Sequence, residues 1–395
     1  MGLNVSALPV NVNVALPACM DSAVFPAGAD SLQFLGKNGT IPRRMRELLS
    51  KTLVIRFSSA GDIILATPLL RALRTRFPHA EIDFAVKRDY AGLVRHHPAL
   101  THVLELPGAE DGEALRRFRS EVRARKYDLL IDIHGSLRSR FLCLGAPRVV
   151  RIRKRVVPRW VLLRFKKNIY DHWGGAPSVV DRYFEPVRQF GVVNDGEGLD
   201  IFPSPEDYSA VEGRLVEGGV REGEPCVVLA PGARHWSKRW PGERFAEVGA
   251  ALAEHTGTWI AVLGGTDDVA LCADVAARVR RQAPGARVAD LAGRLTLTGC
   301  ALVMDRASVV ITNDTALMHV AAARKRPVVA MFGPTVREFG FFPIGTQSVV
   351  LERAGLGCRP CTHIGGPTCP AGHFRCMLET EPSAVVAHAR AFMEM

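Results

Sequence analysis

Asp62 ends the small-residue run Ser58-Ser59-Ala60-Gly61-Asp62, which directly follows the apolar run Leu53–Phe57. A carboxylate where a strand gives way to a helix has two uses. Facing a cleft, it is a general base. Turned to the backbone, it is a helix N-cap. The residues alone leave both open. Ser59 and Gly61 are small enough to let a ligand approach the chain. A second basic and aromatic run, Pro231–Pro241 (PGARHWSKRWP), follows another apolar strand pattern, and its Arg234 and Lys238 suit a phosphate or diphosphate. A third, Thr312–His319 (TNDTALMH), also ends a strand and opens a helix. Asp314 and Thr315 there either cap the helix or leave its N–H groups for phosphate, with Ala316, Leu317 and His319 on its first turns. In a fourth turn, Gly264-Gly265-Thr266-Asp267, the acid either binds ribose hydroxyls or caps the next helix.

Cys358, Cys361, Cys369 and Cys376 fall within nineteen residues in the spacing C-x2-C-x7-C-x6-C, with His363 and His373 between them. They are candidates for a structural zinc or iron–sulfur site, with a redox pair or plain packed thiols as the alternatives. Between Arg148 and Lys167 nine basic residues are interleaved with Val150, Ile152, Val156, Trp160, Leu162, Leu163 and Phe165. That mixture suits an anionic membrane surface or a phosphorylated lipid. It would also serve nucleic acid, but stacking platforms and recognised nucleic-acid motifs are lacking. Arg138 and Arg140 extend the same basic region. No G-x-G-x-x-G follows either first strand, and neither G-x-S-x-G nor H-E-x-x-H occurs, so dinucleotide oxidoreductases, serine hydrolases and zinc proteases are unsupported. No Asp-x-Asp pair ends a strand, which argues against a donor held through a divalent metal.

These turns need rigid elements to hold them. Short apolar runs at 53–57, 82–86, 103–106 and 129–133 alternate with helix-prone stretches, and the alternation restarts at 226–230, 259–263, 309–312 and 328–332. The expectation is α/β, with two Rossmann-like domains built on parallel sheets. Residues 1–42 read as a poorly ordered extension and 43–194 as the first domain. Residues 195–224 read as a linker and 225–395 as the second domain, which carries the cysteine segment 358–376. The 47% hydrophobic and 23% charged content excludes a disordered or collagen-like chain. No apolar run approaches the ~18 residues of a membrane span. The N-terminus lacks a basic n-region, so a signal peptide is not expected, and nine cysteines fit a reducing cytoplasm better than a disulfide scaffold. The charge is uneven: residues 51–199 hold 27 basic against 16 acidic residues, and residues 200–395 hold 20 against 21.

Taken together, IRFSSAGDIILATP (55–68), YDLLIDIHGSL (127–137), PGARHWSKRWP, TNDTALMH and Phe332-Gly333-Pro334-Thr335 resemble glycosyltransferase family 9, the lipopolysaccharide heptosyltransferases, over roughly residues 51–390. The resemblance implies the GT-B arrangement of two facing domains and inverting, metal-independent transfer. It implies an ADP-L-glycero-β-D-manno-heptose donor and a lipid A–core acceptor, handled at the inner face of the cytoplasmic membrane. By motif it makes Asp62 the general base and Lys238 a ligand of donor phosphate. It places Asp314, Thr315, Ala316, Leu317 and His319 at the donor, where Ala316 replaces the usual glycine. Ser59, Gly61, Arg138 and Arg140 are expected on the acceptor side, and Arg234, Gly264, Gly265 and Asp267 on the donor side. No cofactor is expected for the chemistry. Two alternatives remain: transfer of another nucleotide-linked sugar to a different envelope glycan, and a non-catalytic nucleotide- or sugar-binding module.

Overall fold

The computed structural model of the chain describes residues 11–15 and 50–395, apart from 108–111, 219, 222 and 257. Its elements run β1 (Asn11–Ala15), β2 (Lys51–Ile55), α1 (Ala60–Ile64), α2 (Thr67–Arg76), β3 (Glu81–Lys87), β4 (His102–Leu106), α3 (Gly112–Ala124), β5 (Leu129–Asp132), α4 (Leu137–Leu142), β6 (Val149–Arg151), α5 (Val156–Phe165) and α6 (Val179–Phe184). They continue as α7 (Pro205–Glu217), β7 (Cys226–Ala230), α8 (Gly242–Thr256), β8 (Trp259–Val262), α9 (Val269–Gln282), β9 (Val288–Asp290), α10 (Leu297–Met304), β10 (Ala307–Asn313), α11 (Ala316–Ala323), β11 (Val328–Phe332), β12 (Ser348–Glu352), α12 (Arg375–Leu378) and α13 (Pro382–Met393).

The chain divides into two compact units. In the N-terminal unit a parallel five-stranded sheet has the order β4-β3-β2-β5-β6. The central strand β2 is continuously apolar because helices cover both faces of such a sheet: Leu53, Val54 and Ile55 are fully buried. Helix α3 presents Ala114, Phe118 and Val122, each four residues apart, as its one buried stripe. The C-terminal unit holds a seven-stranded sheet of order β1-β12-β11-β10-β7-β8-β9, parallel except for β1, which pairs antiparallel with β12. Both sheets step outward from their first parallel strand, to β3 and β4 on one side and β5 and β6 on the other, then likewise from β7. The order therefore reverses between β2 and β5, and between β7 and β10. Ligands in open α/β sheets bind beyond the carboxyl ends of the strands at such reversals.

Three stretches differ from the expected boundaries. Asn11–Ala15 is a strand within the stretch expected to lack order, and the rest of residues 1–42 lies outside the described residues. The expected linker 195–224 is divided between the units. Arg71 of α2 holds its first part through both carboxylate oxygens of Asp195, through Asp200 and through the Gly198 carbonyl. Its second part forms α7, whose buried Asp207 accepts the Thr296 hydroxyl at the start of α10. Residues 156–176, expected in the first domain, pack on the C-terminal unit, where Leu162 and Tyr170 share a small core with Phe339.

Candidate active site

In the N-terminal unit, Asp62 stands on α1 directly beyond β2. Its carboxylate is held from three sides. Arg56 Nη2 lies 2.7 Å from Oδ1, and the Tyr183 hydroxyl donates to the same oxygen at 3.3 Å. The Ser59 hydroxyl and backbone N–H donate to Oδ2 at 2.8 and 3.2 Å. Asp62 is not itself the N-cap of α1: that position is Ser59, and Asp62 is the third helical residue that reaches back to it. It braces the start of α1 through Ser59, and it keeps 16% of its side chain exposed. Burial pushes its pKa up, but the Arg56 charge and the Ser59 donors outweigh burial and hold the carboxyl below its ordinary value. It is therefore ionised at neutral pH. Arg56 also donates to the Ile133 carbonyl at 2.9 Å, tying the turn after β2 to the turn after β5.

That second turn is shaped by Asp132, which is fully buried. It accepts from the backbone N–H groups of His134 and Gly135, from the Ser139 hydroxyl and from Arg151 Nε at 2.6 Å. Burial, with Arg56 next, lowers the His134 pKa to about 4, so its imidazole is neutral at pH 7. Arg138 and Arg140 stand exposed on α4, immediately past this turn, while Ser59 and Gly61 remain partly exposed beside Asp62. Arg56 and Tyr183 are the residues that motif reading missed. A guanidinium inside the apolar run Leu53–Phe57 was a visible anomaly; Tyr183, more than a hundred residues away, carried no signal.

In the C-terminal unit the turns after β7 and β10 meet. Lys238 Nζ lies 2.6 Å from Asp314 Oδ2, and the Thr335 hydroxyl donates to the same oxygen at 2.8 Å. Asn313 joins the two turns by donating to the Pro231 carbonyl and accepting from the Trp240 N–H. Thr315 occupies the N-cap of α11 in extended backbone, and its hydroxyl is buried without a hydrogen-bond partner. Ala316 is partly exposed at the first position of the helix, whereas Leu317 and His319 are buried, His319 to 3% exposure. Arg234 is exposed on the loop.

The turn after β8 joins through a residue adjacent to the expected one. Asp267 is exposed, while Asp268 receives Arg239 Nη2 at 3.1 Å and the Gly265 N–H at 3.3 Å. Glycine is required where this acid enters. A Cβ on Gly232 would lie 2.2 Å from the Asp268 carboxylate, and one on Gly264 would lie 2.7 Å from Cys272 Sγ.

The cysteine segment backs the loop after β7. Ser237 exchanges hydrogen bonds with Gly366, accepting its N–H at 2.8 Å and donating its own N–H to its carbonyl at 3.1 Å, and Trp236 stacks on Phe374. Arg359 anchors the segment through the carbonyls of Gly333, Thr335 and Arg353 and through Glu352. All four thiols are free. Cys376 is buried, and burial pushes its pKa up to about 12. No three of the sulfurs lie within 4.8 Å of one another, so their arrangement does not support the candidate zinc or iron–sulfur site. Among the described residues, ligand atoms of Glu81, Asp83 and His102 do approach that closely. There Asp83 already accepts from the Tyr127 hydroxyl, Arg125 and His102, which accounts for the grouping as a buried hydrogen-bond hub.

Residues 115–370 match the sequence profile of glycosyltransferase family 9 (heptosyltransferase). The chain belongs to glycosyltransferase family 9. It is 29% identical to lipopolysaccharide heptosyltransferase 1 of Pseudomonas aeruginosa over 332 residues, 80% of this chain and 86% of that one. It is 27% identical to lipopolysaccharide heptosyltransferase 2 of Salmonella typhimurium over 298 residues, covering 73% and 84%. Among solved structures, ADP-heptose lipopolysaccharide heptosyltransferase II of Escherichia coli superposes with a TM-score of 0.67 at 24% identity, over 87% of this chain and 98% of that one. The family 9 glycosyltransferase of Veillonella parvula gives a TM-score of 0.71 at 21% identity, over 87% and 97%. The fold is GT-B and the protein is a glycosyltransferase.

Proposed function

We propose that this family 9 enzyme transfers heptose from ADP-L-glycero-β-D-manno-heptose to the inner core of lipopolysaccharide, with inversion and without a metal. The observations that carry the reading are an ionised carboxylate beyond the strand-order reversal of one unit and, in the other unit, a partly buried lysine ion-paired to Asp314 beside the start of α11. Asp62 accepts the proton of an acceptor hydroxyl as that oxygen bonds to the anomeric carbon. The bond from that carbon to the diphosphate breaks in the same displacement, which inverts the centre and needs no second carboxylate. Lys238, Arg234 and the N–H groups at the start of α11 stabilise the negative charge on the leaving diphosphate. The ion pair with Asp314 holds the Lys238 ammonium beside the start of α11, in place for the donor. Gly264, Gly265 and Asp267 line the nucleoside side, and Ser59, Gly61, Arg138 and Arg140 the acceptor side. The basic first half suits an acceptor bearing carboxylates and phosphates on a cytoplasmic membrane face. No described helix is long and apolar enough to cross a membrane.

The test is ADP release from ADP-heptose with heptose-deficient lipopolysaccharide as acceptor. Acceptor-dependent release is expected. Asp62→Asn should cut turnover ~10²-fold or more while ADP-heptose affinity is nearly kept. Release from a different nucleotide sugar would replace the donor, with Ala316 the first position to examine. Binding without release from any donor would favour the non-catalytic module.

A further inference from the structure

Helix α5 presents an outer face that the proposed reaction does not use. Val156, Val157 and Trp160 share that face, and Phe165 follows at its end. They are 51, 49, 56 and 53% exposed. The opposite face is covered: Pro158 and Leu162 are buried, and Leu162 packs with Tyr170 and Phe339. The segment is fixed to the C-terminal unit, since Lys166 Nζ donates to the Pro360 carbonyl at 2.6 Å and Asn168 donates to Glu338 at 3.0 Å. The exposed apolar face is therefore held outward by its own underside.

We infer that α5 is a membrane-docking helix that lies in the plane of an anionic bilayer. Two observations select this occupant. Trp160 and Phe165 pair edge to face at 5.3 Å, and Trp173 stands 45% exposed nearby in sequence, giving aromatic groups of the kind that settle at the headgroup boundary. Arg164, Lys166 and Lys167 cluster at the end of the helix, with Arg159 within it, against the single acid Asp171 between residues 156 and 176. Arg164 lies over the Phe165 ring, so charge and apolar surface are presented together. A 10-residue helix is about 15 Å long, half of a bilayer's hydrocarbon thickness, so it lies on the membrane rather than across it. Apolar insertion combined with a basic cluster is the two-signal arrangement that reversible surface binding requires. An acidic protein surface would satisfy the cations but leave the valine and tryptophan ridge without an apolar partner.

The experiment is flotation of the full chain with vesicles of phosphatidylcholine alone and of phosphatidylcholine with phosphatidylglycerol. Binding to the mixed vesicles, weakened by salt, is expected. Trp160→Ala with Phe165→Ala should reduce partitioning at least tenfold. Arg164→Gln with Lys167→Gln should reduce it about 30-fold, from about fivefold per charge near the surface. All four side chains are exposed, and circular dichroism should show an unchanged fold. ADP release with a delipidated, water-soluble acceptor should also be unchanged in both variants, which separates this inference from the transferase reading. Failure to float with either vesicle would overturn it, as would variants that float like the parent chain. A parent chain that sediments as a dimer, dissociates on the Trp160/Phe165 change and ignores vesicles would assign the face to a second copy instead.

Discussion

Asp62 is a partly buried carboxylate whose ionisation depends most on one neighbour. Burial alone would raise its pKa, and the Arg56 guanidinium 2.7 Å away is the largest influence in the other direction. Replacing Arg56 by Gln removes the largest influence that opposes burial, so the Asp62 pKa rises. In the proposed reaction the base is active only when ionised, so the acid limb of the pH–kcat profile should move to higher pH in Arg56→Gln. KM for the donor should change little, because Arg56 touches no donor-side residue. A profile that does not move would remove Arg56 from control of the base. The same pair bears on stability. A carboxylate whose folded pKa lies below its unfolded value stabilises the fold fully above the unfolded value, and the contribution fades as pH falls through the folded one. Arg56→Gln should therefore cost about 2 kcal/mol at pH 7, between the values for exposed and fully buried pairs, and less under acid, as urea titration would measure. Asp62 itself was legible because a Gly-Asp turn after a strand is a local pattern. Its restraint was not, because Tyr183 reaches it from a distant helix.

At the scale of elements, what could be read depended on how local the pattern was. The runs 53–57, 129–133, 226–230 and 328–332 announced β2, β5, β7 and β11, because a strand buried on both faces is apolar throughout. The three-residue strands β6 and β9 are too short to show a pattern. Helix α7 lies in a stretch rich in Gly, Pro and acids, and its inward side includes Asp207, a buried acid that meets the Thr296 hydroxyl. Arg138 and Arg140 were legible as charges but not as residues of α4. The part played by Asp268 beside Asp267 has the same origin, since only the fold shows which of two adjacent acids turns toward Arg239. Close approach at that point gives a test. In Gly232→Ala the new methyl would stand 2.2 Å from the Asp268 carboxylate, which is held by Arg239 and Gly265 and cannot withdraw without releasing them. The loop carrying Arg234 and Lys238 should shift, and ADP affinity measured by calorimetry should fall about tenfold, an energy of ~1.4 kcal/mol. Affinity equal to that of the parent chain would show that the Asp268 contact does not shape the donor loop.

Over the whole molecule, charge and fold divide the chain at different places. By sequence the excess of basic residues lies in 51–199, yet residues 156–176 pack with the C-terminal unit. The basic first half is thus split: Arg138, Arg140 and five of the nine basic residues between Arg148 and Lys167 belong to the N-terminal unit, and the other four, on and after α5, to the C-terminal one. A single net charge hides this, and salt dependence can expose it. In the proposed reaction Lys238, itself partly buried, and the start of α11 would meet the donor at close range, where screening is weak. An acceptor drawn by exposed arginines over distances comparable to the Debye length, about 10 Å at 0.1 M salt, is strongly screened. Raising salt from low to high ionic strength should therefore increase KM for a water-soluble acceptor several-fold and leave the donor KM nearly constant. Arg138→Gln with Arg140→Gln should flatten that dependence, whereas Arg164→Gln with Lys167→Gln should leave it intact. Equal salt sensitivity in donor and acceptor KM would mean that the basic half attracts the nucleotide sugar as well, and that the charge division does not mark the division of substrates.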